Sequence, residues 1–221
     1  MSIYLSLLER AMKSMPSGSI ISPDEIQHFL AGRKVESLHC LASDFVAHRE
    51  SLSSRSLAVI ARGALEAMFG LRASLLSKEV AIDILYTSTT SDLEKVKKMK
   101  DVAPNSPPSA DNVISALESE KDFIVQTFPS HSPKKRNVFN IAEKAECVSH
   151  YRSSYFTLSQ YVHSNYATID GDLDDLTSKI AEGAVMVSCL LSVETIADFY
   201  SHPDENELRK RSRELWNGRT G

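Results

Sequence analysis

Two stretches of the chain set acid–base and anion-binding side chains at helical spacing, "ARGALEAMFGL" and "YRSSYFTLSQYVHSNY". In the second, Arg152 and His163 are eleven positions apart, which on an α-helix brings them within about 20° of one another. Ser159 lies on the same side, while Tyr151, Tyr155, Leu158 and Val162 form the apolar stripe. In the first, Arg62 and Glu66 are four apart and can pair along the helix, and Arg55 falls on the same border of the apolar face. His163 is suited to general acid or base work near neutral pH, Arg62 or Arg152 to holding a phosphate or carboxylate, and Glu66 to orienting its neighbours. The same residues also suit a closed hydrogen-bond network that fixes two core helices without doing chemistry.

These residues need long helices to position them, and helical periodicity dominates the chain; no alternating apolar and polar run lasts long enough for a sheet. The expected fold is all-α, a multi-helix bundle with two long central antiparallel helices, about 138–168 and 172–200, and shorter flanking helices. A first helix is expected over 2–15, ended by Pro16 and Gly18. A short helix follows, with Ser22 as N-cap, Pro23 in the first turn and Gly32 as terminator. Further helices are expected over 34–50, 54–77, 78–102, 110–127 and 204–216, with "APNSPPS" as the clearest linker and Gly171 supplying a positive φ in the turn "TIDGD". One domain is expected, with an N-terminal helical arm (1–33), a core bundle (34–200) and a C-terminal helix (201–221).

At 221 residues with 42% apolar and 24% charged composition, the chain is ordinary for a soluble globular protein and is not a disordered one. A net charge of −4 gives no global reason for nucleic-acid binding, so the cluster Lys134, Lys135 and Arg136 reads as a solvent-exposed loop. Cys40, Cys147 and Cys189 have no metal-ligand spacing and read as reduced core thiols; the histidines outside "YVHSN" lack acidic or histidine partners at such spacing. No metal or cofactor is expected. Glu9 and Arg10 interrupt the N-terminus too early for a signal peptide, and no segment reads as a membrane span, so a bacterial cytoplasmic location is expected.

Arg62, Glu66, Tyr151, Tyr155, Leu158, Ser159 and His163 carry a resemblance. The chain resembles, over roughly residues 40–200, an uncharacterised bacterial family of helical proteins with an Arg-x-x-x-Glu helix and a later Tyr-x-x-x-Tyr-x-x-Leu-Ser-x-x-x-His helix. That resemblance implies an all-helical fold and a polar cluster between two helices, and brings no activity. A more distant similarity is to the HEPN helical ribonucleases, in which an Arg precedes a His by four to six residues at a dimer interface. Here those positions hold Ser159, Leu158 and Thr157, so the equivalence requires Arg62 to approach His163 from the other helix. Two functions follow as expectations. One is a helical interaction module, an accessory component of a bacterial defence or toxin system working through a protein partner or self-association. The other is a metal-independent ribonuclease using His163 with Arg62 or Arg152, its partner being RNA.

Overall fold

The computed structural model describes residues 1–15, 25–102, 109–163, 171–200 and 205–217, and among these the fold is all-helical. The helices are α1 (Ser2–Met12), α2 (Ile26–His48), α3 (Ser54–Leu76), α4 (Lys78–Val102), α5 (Ser109–Thr127), α6 (Val138–Lys144), α7 (Val148–His150), α8 (Phe156–His163), α9 (Gly171–Tyr200) and α10 (Glu205–Asn217). A π-helical turn, Tyr151–Tyr155, joins α7 to α8 without a break.

The centre of the bundle is α3, which packs against α2, α4, α6, α8 and α9. It starts where Ser53, in extended conformation, accepts a hydrogen bond from the Ser56 amide, an N-cap that satisfies one of the free donors of the first turn. Leu65, Met68, Phe69 and Leu71 have no measurable exposure, as expected of a helix covered on most sides. The helix also carries the small residues Gly63, Gly70 and Ser74 at the α2 contact, and these let the two helices run close and antiparallel. Gln27 Nε2 donates to the carbonyls of Ser74 and Leu75. The stem of Lys34 lies across Gly70, and Leu41 covers Gly63. Residues 27, 34 and 41 repeat every seven positions, the period of one helix face.

Several boundaries differ from expectation. Residues 26–48 form one helix that passes through Gly32. An interior glycine costs only about 1 kcal/mol relative to alanine, less than the burial of Leu30, Ala31, Val35 and Leu38 on either side returns. A division at 33/34 therefore falls inside α2, and α1 contributes Leu7, Leu8 and Ala11 to the same core as the later helices. The long helix expected over 138–168 is instead broken at Ala145–Cys147, where Glu146 has φ 59°. The break is held by Arg72 on α3, whose Nε donates to the Ala145 carbonyl and whose Nη1 donates to Thr195 Oγ1 on α9. Gly171 is the first residue of α9 and no described glycine has a positive φ. The expected breaks at Pro16 and Gly18, the Ser22–Pro23 cap, most of "APNSPPS" and Pro203 lie outside the described residues.

Segment Asp175–Tyr200 is long and apolar enough to cross a membrane, with a mean hydropathy of 1.6, contrary to the sequence expectation; 67% of that apolar window is buried in the bundle. It serves here as a core helix, contributing Ala181, Val185, Leu190, Val193 and Ile196. Cys147 and Cys189 are core thiols, whereas Cys40 is exposed.

Candidate functional site

The site forms where α3 meets the continuous segment from α7 to α8. Tyr155 ends the π-helical turn and is buried, its ring stacked on Tyr151 at 5.0 Å between centroids and near Phe69 at 6.3 Å. Its hydroxyl donates to Glu66 Oε1 at 2.7 Å and accepts from Arg62 Nε at 3.2 Å. Arg62 Nε also donates to the same Glu66 oxygen at 3.1 Å, so the three groups form a closed triangle. The Arg62 guanidinium lies 5.4 Å from the centre of the Tyr155 ring, within cation–π range. Burial, reinforced by the Glu66 carboxylate, holds the Tyr155 phenol well above the usual tyrosine range; it remains a hydrogen-bond donor.

The other end of Arg62 reaches His163. Nη1 is 2.8 Å from His163 Nε2, and since guanidinium only donates, Nε2 must accept and the imidazole proton sits on Nδ1. Next to it, Arg55 Nη2 donates to the carbonyl of Val162 at 2.8 Å, holding the last turn of α8. Arg62 and Glu66 side chains are 26% and 39% exposed and His163 is exposed, so the cluster is sealed below by Tyr155 and open above.

Of the residues expected here, Arg62, Glu66 and His163 come together. Arg152 and Ser159 do not: Arg152 is exposed, Ser159 is half-buried, and neither hydrogen-bonds to the cluster. The π-helical turn explains Arg152. In it the Phe156 amide bonds to the Tyr151 carbonyl, five residues back, and one extra residue in a turn shifts the phase by roughly 100°. The eleven-residue alignment of Arg152 with His163 is thereby lost. Tyr155, expected only as core, supplies the central hydroxyl instead; its place about two helical turns before His163 was visible, but nothing in the spacing marked the hydroxyl as the shared partner.

A second polar cluster escaped sequence reasoning. Asp83, fully buried on α4, accepts from His131 Nε2 (2.7 Å), the Lys134 amide (3.0 Å) and Arg136 Nε (2.7 Å) and Nη2 (2.6 Å). Of the expected solvent-exposed basic cluster, Lys134 and Lys135 are exposed, Lys135 pairing with Glu94, whereas Arg136 is drawn inward and is 13% exposed. An acid inside the apolar run "VAIDILY" was the available signal, because buried acids require partners. Among the described residues no group of three histidine, cysteine or acidic side chains is arranged to hold a metal ion.

Residues 41–180, more than half of the chain, match a family of unknown function, DUF5677. The chain belongs to that family. The DUF5677 region contains α3 and the segment from α7 to α8, and so the whole Arg62–Glu66–Tyr155–His163 cluster, in agreement with the resemblance carried by those residues. No curated protein and no solved structure matches the chain.

Proposed function

We propose that this protein is a helical interaction module in which the Arg62–Glu66–Tyr155–His163 cluster is a clamp that sets the surface formed by α3 and α8. The observation that carries this reading is the mutual bonding of the cluster. Glu66 Oε1 receives both Tyr155 and Arg62, and His163 Nε2 is taken by Arg62, so each of these groups has one atom committed to tying α3 to the segment from α7 to α8. The most exposed apolar side chains beside the clamp are Val59 on α3 and Phe156 on α8, each 52% exposed. Val59 lies within about 60° of Arg55, Arg62 and Glu66, and Phe156 is seven residues before His163 on the same side of α8. Apolar anchors beside arginines are the composition of a protein interface core. A role as an accessory component of a bacterial defence or toxin system belongs to the same proposal.

One observation favours a second reading. Arg62 approaches His163 from the other helix, at 2.8 Å, which is the condition the HEPN likeness required; a metal-independent ribonuclease would use His163 as acid or base and Arg62 to bind phosphate. Both readings are tested together. Tagged wild-type protein and the double variant Val59→Asp, Phe156→Asp are purified from the native host, and wild type and His163→Ala are incubated with RNA in chelator. The module reading expects a stoichiometric protein partner or self-association, lost in the double variant, and no cleavage. RNA cleavage abolished by His163→Ala would replace it with the enzyme reading.

A further inference from the structure

A cavity of about 460 Å³ opens between α2, α4 and α5, within the size range of small-molecule sites, and none of the four clamp residues lines it. Its lining divides by chemistry. The α2 side supplies Arg33, Lys34 and Ser37; the α4 and α5 sides supply Ser88, Thr89, Asp92 and Glu120; Phe29, Leu85 and Leu117 are among the apolar walls. The two acids already have donors: Lys95 Nζ on Asp92 at 2.9 Å, and Thr89 Oγ1 on Glu120 at 3.0 Å. The two cations do not. Neither Arg33 nor Lys34 forms a hydrogen bond or an ion pair, although Lys34 is half-buried with its stem laid on Gly70.

An ammonium withdrawn from water without an anion to bond is costly. That cost is visible in its proton affinity: burial lowers the Lys34 pKa, and the attraction of Glu66 and Asp92 only opposes this. A dianion entering the cavity would give both cations a bonded partner, Lys34 as a compact charge and Arg33 as a fork of donors. Phosphate presents more acceptor oxygens than a carboxylate and so can bond the ammonium and the guanidinium fork together, which makes it the better match. The remaining polar lining consists of acceptors and hydroxyls, which bond the O–H groups of a polyol.

We propose that this cavity binds a small phosphorylated sugar, its phosphate held by Lys34 and Arg33 and its hydroxyls by Asp92 and Glu120. Gly70 lies beneath the site: a Cβ there would stand 3.0 Å from Lys34 Cε, so the lysine stem lies directly on the glycine. The proposal uses none of the clamp hydrogen bonds and stands or falls separately from the interaction reading.

Calorimetric titration of the full chain with glucose 6-phosphate, glucose and inorganic phosphate tests it. Saturable binding of glucose 6-phosphate is expected, about tenfold or more tighter than either half alone. Lys34→Met and Arg33→Gln, the latter at an exposed position, are each expected to weaken it about tenfold or more, while Asp92→Asn, which also removes a negative charge acting on Lys34, narrows the preference for glucose 6-phosphate over inorganic phosphate. Circular dichroism and a melting curve confirm that each variant is folded; Arg33→Gln, at an exposed position, keeps the test valid if Lys34→Met does not fold. Absence of saturable binding, equal binding of phosphate and glucose 6-phosphate, or wild-type binding by folded Lys34→Met and Arg33→Gln would each overturn the assignment.

Discussion

The Tyr155 hydroxyl and the Glu66 carboxylate share a 2.7 Å hydrogen bond across the contact between α3 and the π-helical turn. Because Tyr155 is only 5% exposed, its hydroxyl has no water to fall back on, and Glu66 depends on it for one of its two donors. Tyr155→Phe keeps the ring packed on Tyr151 and Phe69 and deletes only the donor. A loss of about 1–3 kcal/mol in urea unfolding is expected, with unchanged helical content.

His163 sits at the open end of the same cluster, so its removal is expected to matter less to the fold. The His163→Ala variant should lose under about 1 kcal/mol, while Arg62→Ala, which also strips Glu66 and Tyr155 of a partner, should lose more. A double-mutant cycle over Arg62 and His163 isolates the 2.8 Å contact; equal losses from the two single variants would contradict the clamp.

Asp83 is fully buried beneath four donors. Asp83→Asn leaves Arg136 without its counter-ion in a dry site, and a destabilisation of about 3–5 kcal/mol is expected by thermal or chemical unfolding. Lys135→Ala, removing a cation whose pair with Glu94 is exposed to solvent, is expected to leave the unfolding midpoint essentially unchanged.

Gly32 lies inside α2, and a Cβ built there meets nothing within 4 Å. Gly32→Ala is therefore expected to stabilise the protein by about 0.5–1 kcal/mol, through helix propensity and a less disordered unfolded chain. A loss of stability in the same unfolding assay would show that α2 is bent or broken at this point.

Lys34 makes stability depend on pH in a definite direction. Its folded-state pKa is lowered, so between that value and the ordinary lysine value the unfolded chain holds more protons than the folded one. Stability contributed by this group therefore rises with pH across that window. Lys34→Met removes the dependence, so its stability relative to wild type should be greatest near neutrality and should shrink as pH is raised toward about 10. Urea midpoints of the two proteins across that range read this difference; a gap that widens with pH would contradict it.

What the sequence discloses and what it hides divide along one physical line. The start of α3 was legible because Ser53 caps locally, and the pairing of Arg62 with Glu66 was legible because both sit on one helix. Their meeting with His163 was legible in part, from the polar flank of an otherwise apolar helix. Hidden were the continuity of α2 through Gly32, the break at Glu146 and the inward turn of Arg136, each decided by residues far away in the chain. The burial of Leu30 and Val35 overrides a glycine, Arg72 secures the break, and Asp83 draws in the arginine of a loop whose two lysines stay in solvent.

The turn from Tyr151 to Tyr155 is equivalent to an α-helix that has accepted one surplus residue. Chain length here is consequently not neutral: deleting Ser153 or Ser154, both outside the clamp, would let the helix relax to regular winding and would rotate Tyr151 against Tyr155, unstacking the rings that now lie 22° apart. A single-codon deletion at that point would thus reset which residues the helix shows to α3, a change in recognition surface that no substitution in the same stretch could produce.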